Sequence, residues 1–349
     1  MSQRTIAALL AVPLLIGLFV VVATQPLAYV TYRPGPTLDI LGARDGQEIV
    51  EVTGEKAYRD AGELRLTTIY VDQPQEDVTL DELMRAWLDP SEAVYPYDSV
   101  YAPDETDESS DVESAVQMVS SQDAAVATAL TELGYEVQPE IEVLYVDKDL
   151  PADGLLKVRD IVLSVGGAEI TSTQDVVDAV DKATAGRPVT FVVRRKGREV
   201  PVRVTPDEVD GDKQIGIQLG PGFTFPFEVS VDIGDNIGGP SAGLVFSLAI
   251  YDTLTPGSLT GGAVVSGSGT IDANGRTGAI GGVQQKIAGA QDAGAELFVV
   301  AAANCPETLD LDTGDMRLVR AETMHDAVEA ITAWAEDHDA TLPTCEDAA

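Results

Sequence analysis

Histidine is nearly absent from this chain: its 349 residues contain only His325 and His338. Any catalytic scheme built on an imidazole base must draw on one of these. Lysine is scarce as well, confined to positions 56, 148, 157, 182, 196, 213 and 286, so Lys286 stands alone after Lys213. The only cysteines are Cys305 and Cys345, and neither belongs to a CxxC pair. A zinc site or a dithiol redox motif is therefore not expected, and no metal or cofactor is assigned. Outside the cytoplasm the cysteines would pair as one disulfide tying the C-terminal tail to the last domain; inside it they would stay thiols. Basic residues are outnumbered, 22 against 58 acidic, leaving a net charge of −36. So acidic a chain repels nucleic acid and anionic headgroups, and no nucleic-acid partner is expected. No GxxxxGK[ST] segment occurs, so the chain carries no P-loop and ATP is not a partner.

What is present begins with an apolar run. Thr5 to Thr24 (TIAALLAVPLLIGLFVVVAT) carries no charge. Its length matches the roughly 30 Å hydrocarbon core at about 1.5 Å per helical residue. Arg4 precedes it and the next basic residue is Arg33, a distribution that favours a cytoplasmic N-terminus. No small-x-small cleavage site comes directly after it, so an uncleaved signal anchor is expected. The chain would then be a single-pass protein of the cell membrane with its catalytic part extracytoplasmic.

The length suits two globular domains or one large one. Residues 26–135 read as a Pro- and Gly-rich connector followed by strand-like stretches at Ile49–Val52 and Leu64–Val71. A helix is expected over Thr79–Leu88, an acidic loop over 102–114, and a helix from Ala115 to Leu133 that ends at Gly134. Over 136–208 short β-rich runs (IEVLYV, DIVLSV, PVTFVVRR, REVPVRV) surround one helix, Thr173–Ala183. With Pro151-Ala152-Asp153-Gly154-Leu155 and Asp160-Ile161-Val162-Leu163-Ser164-Val165-Gly166-Gly167, this segment resembles a bacterial PDZ domain of the kind fused to proteases. Arg159 stands where that family usually has Gly. The resemblance implies capture of an extended peptide by strand addition, with Leu133, Gly134 and Tyr135 as the candidate carboxylate loop.

The informative segment is Asp235 to Gly243, DNIGGPSAG, running into the apolar SAGLVFSLAIYDT. Gly238 and Gly239 permit backbone angles closed to other residues, and Ser241 falls at or just before a helix start, where free N–H groups suit an oxyanion. Ser241 has three readings: a helix N-cap, the nucleophile of a GxSxG elbow as in α/β-hydrolases, or the nucleophile of a Ser-Lys dyad. The second requires His325 or His338 as base. However, His325 lies in an amphipathic helix, His338 in a polar tail, and no HGGG segment is present.

The segment downstream of Ser241 favours the third reading. Thr260–Gly282 (TGGAVVSGSGTIDANGRTGAIGG) leads directly into Val283-Gln284-Gln285-Lys286-Ile287-Ala288-Gly289-Ala290. GPSAG, the glycine-flanked stretch and this lysine helix, in that order, resemble the proteolytic domain of Lon proteases over about 223–303. The resemblance implies Ser241 as nucleophile, Lys286 as general base, and Ser268 in place of the usual Thr that hydrogen-bonds the amine. Gly238 replaces the usual acidic residue, so Gly238 and Gly239 would shape the oxyanion hole by backbone alone. Isolation of Lys286 among small apolar neighbours agrees, because a lysine at about 10.4 is protonated and burial in apolar surroundings lowers it.

The expected architecture is α+β: a transmembrane anchor (1–25), the 26–135 region, a PDZ module (136–208), a Lon-type catalytic domain (209–340) and a polar tail (341–349). Gly62–Leu88 resembles the beginning of a Lon proteolytic domain, which would make the PDZ module an insertion. The expected function is ATP-independent cleavage of proteins or peptides with PDZ-assisted recognition, in a homo-oligomer by family resemblance. The alternative is a catalytically silent, membrane-bound PDZ adaptor that only binds peptides.

Overall fold

The computed structural model describes residues 3–184, 186–209, 211–234 and 237–348. Helix α1 (Gln3–Thr24) is followed by β1 (Tyr29–Asp39), β2 (Val50–Thr53), β3 (Glu63–Val71), α2 (Leu80–Leu88), β4 (Ala93–Pro96) and the long α3 (Asp107–Glu132). Next come β5 (Gln138–Val146), β6 (Ile161–Val165), α4 (Thr173–Asp181), β7 (Val189–Arg195), β8 (Arg198–Val204) and β9 (Ile217–Thr224). The chain closes with β10 (Glu228–Val231), α5 (Gly243–Leu254), β11 (Val264–Ser268), α6 (Val283–Asp292), β12 (Leu297–Ala301), β13 (Arg317–Ala321) and α7 (Met324–Glu336). Among the described residues no helix is long and apolar enough to cross a membrane.

One sheet has the order β13-β12-β11-β3-β1-β4. β3, β11, β12 and β13 are parallel, and β1 and β4 extend the sheet antiparallel. Its centre is covered on both faces, which is why β12 (LFVVA) is apolar and buried at every position. Leu297 and Val299 pack into the core containing α5, while Phe298 and Val300 pack into the core containing α6. α5 and α6 therefore lie on opposite faces and can meet only where the strands end. α5 (GLVFSLAIYDTL) is apolar nearly all round because it is enclosed nearly all round.

A second sheet, β8-β7-β6-β5-β9, has its own core, with Val143, Val162, Phe191 and, from α4, Val176 and Val180. It is inserted into the first body, as the strand pairs show. β3, before it in sequence, pairs with β11 after it (Leu64 opposite Val265), and β2 pairs with β10 (Val50 opposite Val231). α3 runs between the two bodies and packs on α5.

Several expectations are corrected. Residues 107–114 are not loop: Thr106 caps α3, accepting from the Ser109 N–H at 3.2 Å, and acidic Asp107 and Glu108 suit the first turn. The inserted sheet does not end at 208, because β9 pairs with β5 along its whole length to Thr224. Leu133, Gly134 and Tyr135 do not form a peptide loop. Leu133 and Gly134 close α3, and Tyr135 packs edge-on against Phe227 beside the α5 core. Residues 341–349 are not simply a polar tail, since Leu342 is buried and Cys345 is bonded to Cys305.

The junction between the two bodies holds buried charge. Arg159 adopts a left-handed backbone (φ 70°) and reaches α3, donating to Gln122 Oε1 at 2.6 Å and lying 3.5 Å from Asp123 Oδ1. Buried Asp123 and buried Glu142 of β5 face each other, and burial raises both carboxyls above their ordinary range. Asp123 Oδ2 and Glu142 Oε1 have no other partner, so a shared proton between them satisfies both.

Both the shared sheet and the shared proton can be tested. A fragment of residues 209–349 leaves β11 without β3, and it is expected to show no cooperative thermal transition by circular dichroism; a folded fragment would contradict the shared sheet. Because the folded state holds the Asp123–Glu142 proton more tightly than the unfolded chain, that contribution is complete below the ordinary carboxylate range. It is lost as pH rises through the raised values. Glu142→Gln, which stays neutral, is expected to flatten the fall in Tm between acid and mildly alkaline pH, read by calorimetry; an unchanged slope would exclude the shared proton.

Candidate active site

The two faces of the sheet meet beyond the C-terminal end of β11, at its last residue, Ser268. Here Lys286 Nζ lies 2.7 Å from Ser241 Oγ and 3.0 Å from Ser268 Oγ. Ser268 Oγ–H donates to the Ser241 carbonyl at 3.0 Å, and the Gly269 N–H donates to the same oxygen at 3.0 Å. With its own hydrogen committed to Ser241 O, Ser268 Oγ can only accept from the amine. A neutral amine that gives one hydrogen to Ser268 keeps a lone pair free to turn to Ser241 Oγ–H.

Lys286 is on the first turns of α6, which packs over β1 and β3 beside Val283, Ile287 and Ala290. The residue is 2% exposed and, among the described residues, pairs with no carboxylate. Burial alone lowers its amine to about 7. Ser241 is only half-buried, so its hydroxyl is open to a substrate.

The start of α6 is held by two devices. Gly282, its N-cap, has φ 66°, and a Cβ there would meet the Ile69 side chain at 2.8 Å. Asn304 clamps Ile280 at both ends, donating to its C=O and accepting from its N–H, each at 2.9 Å. Asn304 is buried beside Cys305, whose disulfide to Cys345 pins the following segment. Sequence reasoning missed Asn304, since an asparagine after an apolar strand carries no pattern of its own.

The loop before Ser241 is braced by α3. Gly239 (φ 85°) donates its N–H to Ser114 O at 3.2 Å, and Ser121 Oγ donates to Pro240 O at 3.0 Å. Thr128, one more step of seven along α3, donates to Asp272 O at 2.8 Å. Ser114, Ser121 and Thr128 recur at that spacing and so share a helix face. The repeat was readable in the sequence, but its partner was not. At Gly238 and Gly239, expected to shape the oxyanion hole by backbone alone, the Gly239 N–H is bonded to Ser114 O and Gly238 backs onto the Ser114 side chain. The N–H groups of Ser241 and Ala242, which donate to nothing among the described residues, point to that role at the start of α5.

His325 lies elsewhere. Its Nδ1 is 2.6 Å from Glu132 at the end of α3, which raises its pKa, and it is not shared with Ser241. His338 packs on the Trp334 ring. Among the described residues no group of His, Cys, Asp and Glu is placed to hold a metal ion.

Residues 108–205 match the sequence model of the PDZ domain, and residues 235–333 that of the Lon protease (S16) C-terminal proteolytic domain; Asp235 and Asn236 lie outside the described residues. Serine protease HTRA1 of Xenopus tropicalis is 39% identical over 69 residues, 20% of this chain and 15% of that protein. The chain thus matches a small part of that relative's length. The PDZ domains of SdrC-like proteins from Listeria innocua and Listeria monocytogenes are 24% and 23% identical, each with TM-score 0.22. Each covers 23% of this chain, and the match spans 92% and 86% of those domains respectively. The chain joins a PDZ domain to a Lon-type proteolytic domain.

Replacing Asn304 with Ala leaves the Ile280 N–H and C=O buried without partners, each worth about 1–3 kcal/mol. Asn304→Ala is expected to lower Tm by several degrees in a denaturation scan, and an unshifted Tm would show that the clamp is dispensable.

Proposed function

We propose that this protein is a serine endopeptidase in which Ser241 is the nucleophile and Lys286 the general base, needing no nucleotide site of its own. The observation that carries the reading is the 2.7 Å approach of a buried, unpaired amine to a half-exposed serine hydroxyl. Neutral Lys286 removes the Ser241 proton as Oγ attacks a peptide carbonyl carbon. The N–H groups of Ser241 and Ala242 hold the resulting oxyanion. As the tetrahedral intermediate collapses, the C–N bond breaks and Lys286 delivers its proton to the leaving amine. Water, deprotonated by the same amine, then attacks the ester, which breaks to release the acid and restore Ser241.

Peptide capture by the PDZ domain belongs to this reading, at β9 rather than at Leu133–Tyr135. β9 is an edge strand of its sheet, and strand addition needs a free edge. Lys213, just before β9, donates to the Asp181 and Ala183 carbonyls at the end of α4, tying the strand's approach to that helix. The anchor is proposed from the uncharged run Thr5–Thr24 and the exposed apolar side chains of α1, among them Leu10, Leu14 and Phe19. The Cys305–Cys345 disulfide suits an extracytoplasmic location.

Ser241→Ala and Lys286→Ala are each expected to cut peptide cleavage by at least about a hundredfold while leaving Tm within a few degrees. Only the neutral amine is a base, so kcat/KM of the native enzyme should rise with pH up to about 7 and level off above it. Retained turnover in either variant would leave the peptide-binding adaptor as the better description.

A further inference from the structure

Helix α2 is more apolar than its packing requires. At about 100° per residue, Leu80, Leu83, Met84, Ala86, Trp87 and Leu88 cover a continuous arc of roughly 200°. The protein body uses only the Leu83 and Ala86 side, where Ala86 is buried. The other side, spaced i, i+3, i+4, is left in the open: Met84 is 43% exposed, Trp87 75% and Leu88 73%. Scattered exposed leucines need no explanation, but a tryptophan and a leucine this exposed on one helix face do.

The position of this face says what covers it. Three residues after the end of α1, the Leu27 N–H donates to Val78 O at 3.0 Å, bridging the exit of α1 to the residue just ahead of the Thr79 cap of α2. α1 and α2 are also in contact. The α2 face is thereby held beside the exit of α1, whose Leu14, Leu18 and Phe19 are likewise exposed. That level is where Trp is favoured in membranes, its indole apolar at one end and hydrogen-bonding at the other. The polar edge of α2 carries Asp81 and Glu82 against Arg85, so a zwitterionic surface suits it and an anionic one does not.

We propose that α2 is a membrane-interface helix whose Met84, Trp87 and Leu88 enter the headgroup and upper acyl region of the zwitterionic bilayer that holds α1. The proposal rests on the anchoring part of the function proposed above. It gives the protease body a fixed orientation over the membrane instead of a loose tether. That orientation reaches the catalytic side through β1: α2 packs on β1, and the Tyr32 ring of β1 lies against Gly282 at the start of α6.

Tryptophan makes this testable, because the chain has only Trp87 and the buried Trp334. The full chain is reconstituted into phosphatidylcholine liposomes, floated on a density gradient, and its emission measured with lipids brominated near the headgroup or near the chain end. Trp87→Phe supplies the Trp334 background. The expected result is co-flotation, a blue-shifted Trp87 emission, and loss of most of that emission with shallow bromines but less with deep ones. Flotation with Trp87 unquenched by bromine and open to aqueous acrylamide would overturn the proposal and leave the anchor standing. Trp87 shielded from both quenchers would also overturn it, and would assign the face to a second copy of the chain. Failure to float would remove the anchor and this helix's role together.

Discussion

An amine withdrawn from water without a counter-ion gives up its proton near neutrality, and much of the protein body serves to keep Lys286 in that condition. α6 is pressed onto β1 and β3, its first turn fixed by the left-handed Gly282 and by the Asn304 clamp. Among the described residues no acidic group approaches the amine, so desolvation is not offset. Ser268 then settles the remaining question of direction, since its own hydrogen is spent on the Ser241 carbonyl and its oxygen can only accept. Placement at the end of β11, where helices from opposite faces of the sheet converge, is what lets residues 45 positions apart meet at 2.7 Å.

A second buried ionisable site solves the same problem in the opposite sense. At the junction of the two bodies, Asp123 and Glu142 are also taken from water, and for carboxyls this favours the protonated form. Arg159 partly compensates from a backbone conformation that glycine would adopt more readily. That exchange of Gly for Arg looks like a minor flaw in a PDZ turn when taken alone. In the folded chain it is one of the contacts by which the inserted sheet reaches α3, beside those of β5 and β9.

α3 gives that contact its consequence. The same helix that receives Arg159 through Gln122 and Asp123 braces the loop before Ser241 through Ser114 and Ser121. The PDZ segment and that loop are thus neighbours of one helix, although the PDZ segment interrupts the first body in sequence. The interruption is tolerated because β2 with β10, and β3 with β11, rejoin the body across it.

The sequence alone determined the chemical cast: a serine in GPSAG, a solitary lysine among small apolar residues, a hydroxyl at Ser268, two cysteines and a PDZ-like segment. These were legible because each depends on residue type and local spacing. The insertion was legible too, in the strand and helix pattern of Gly62–Leu88. The tertiary structure decided what local pattern cannot encode. It packed Tyr135 against Phe227, made helix of residues 107–114, bonded the Gly239 N–H to Ser114 and gave Asn304 a role. It also left Trp87 and Leu88 uncovered on a helix whose apolar pattern resembles that of any core helix. In each case the deciding partner lies far along the chain, and a hydrogen bond or a buried face has no signature until both sides of it are in place.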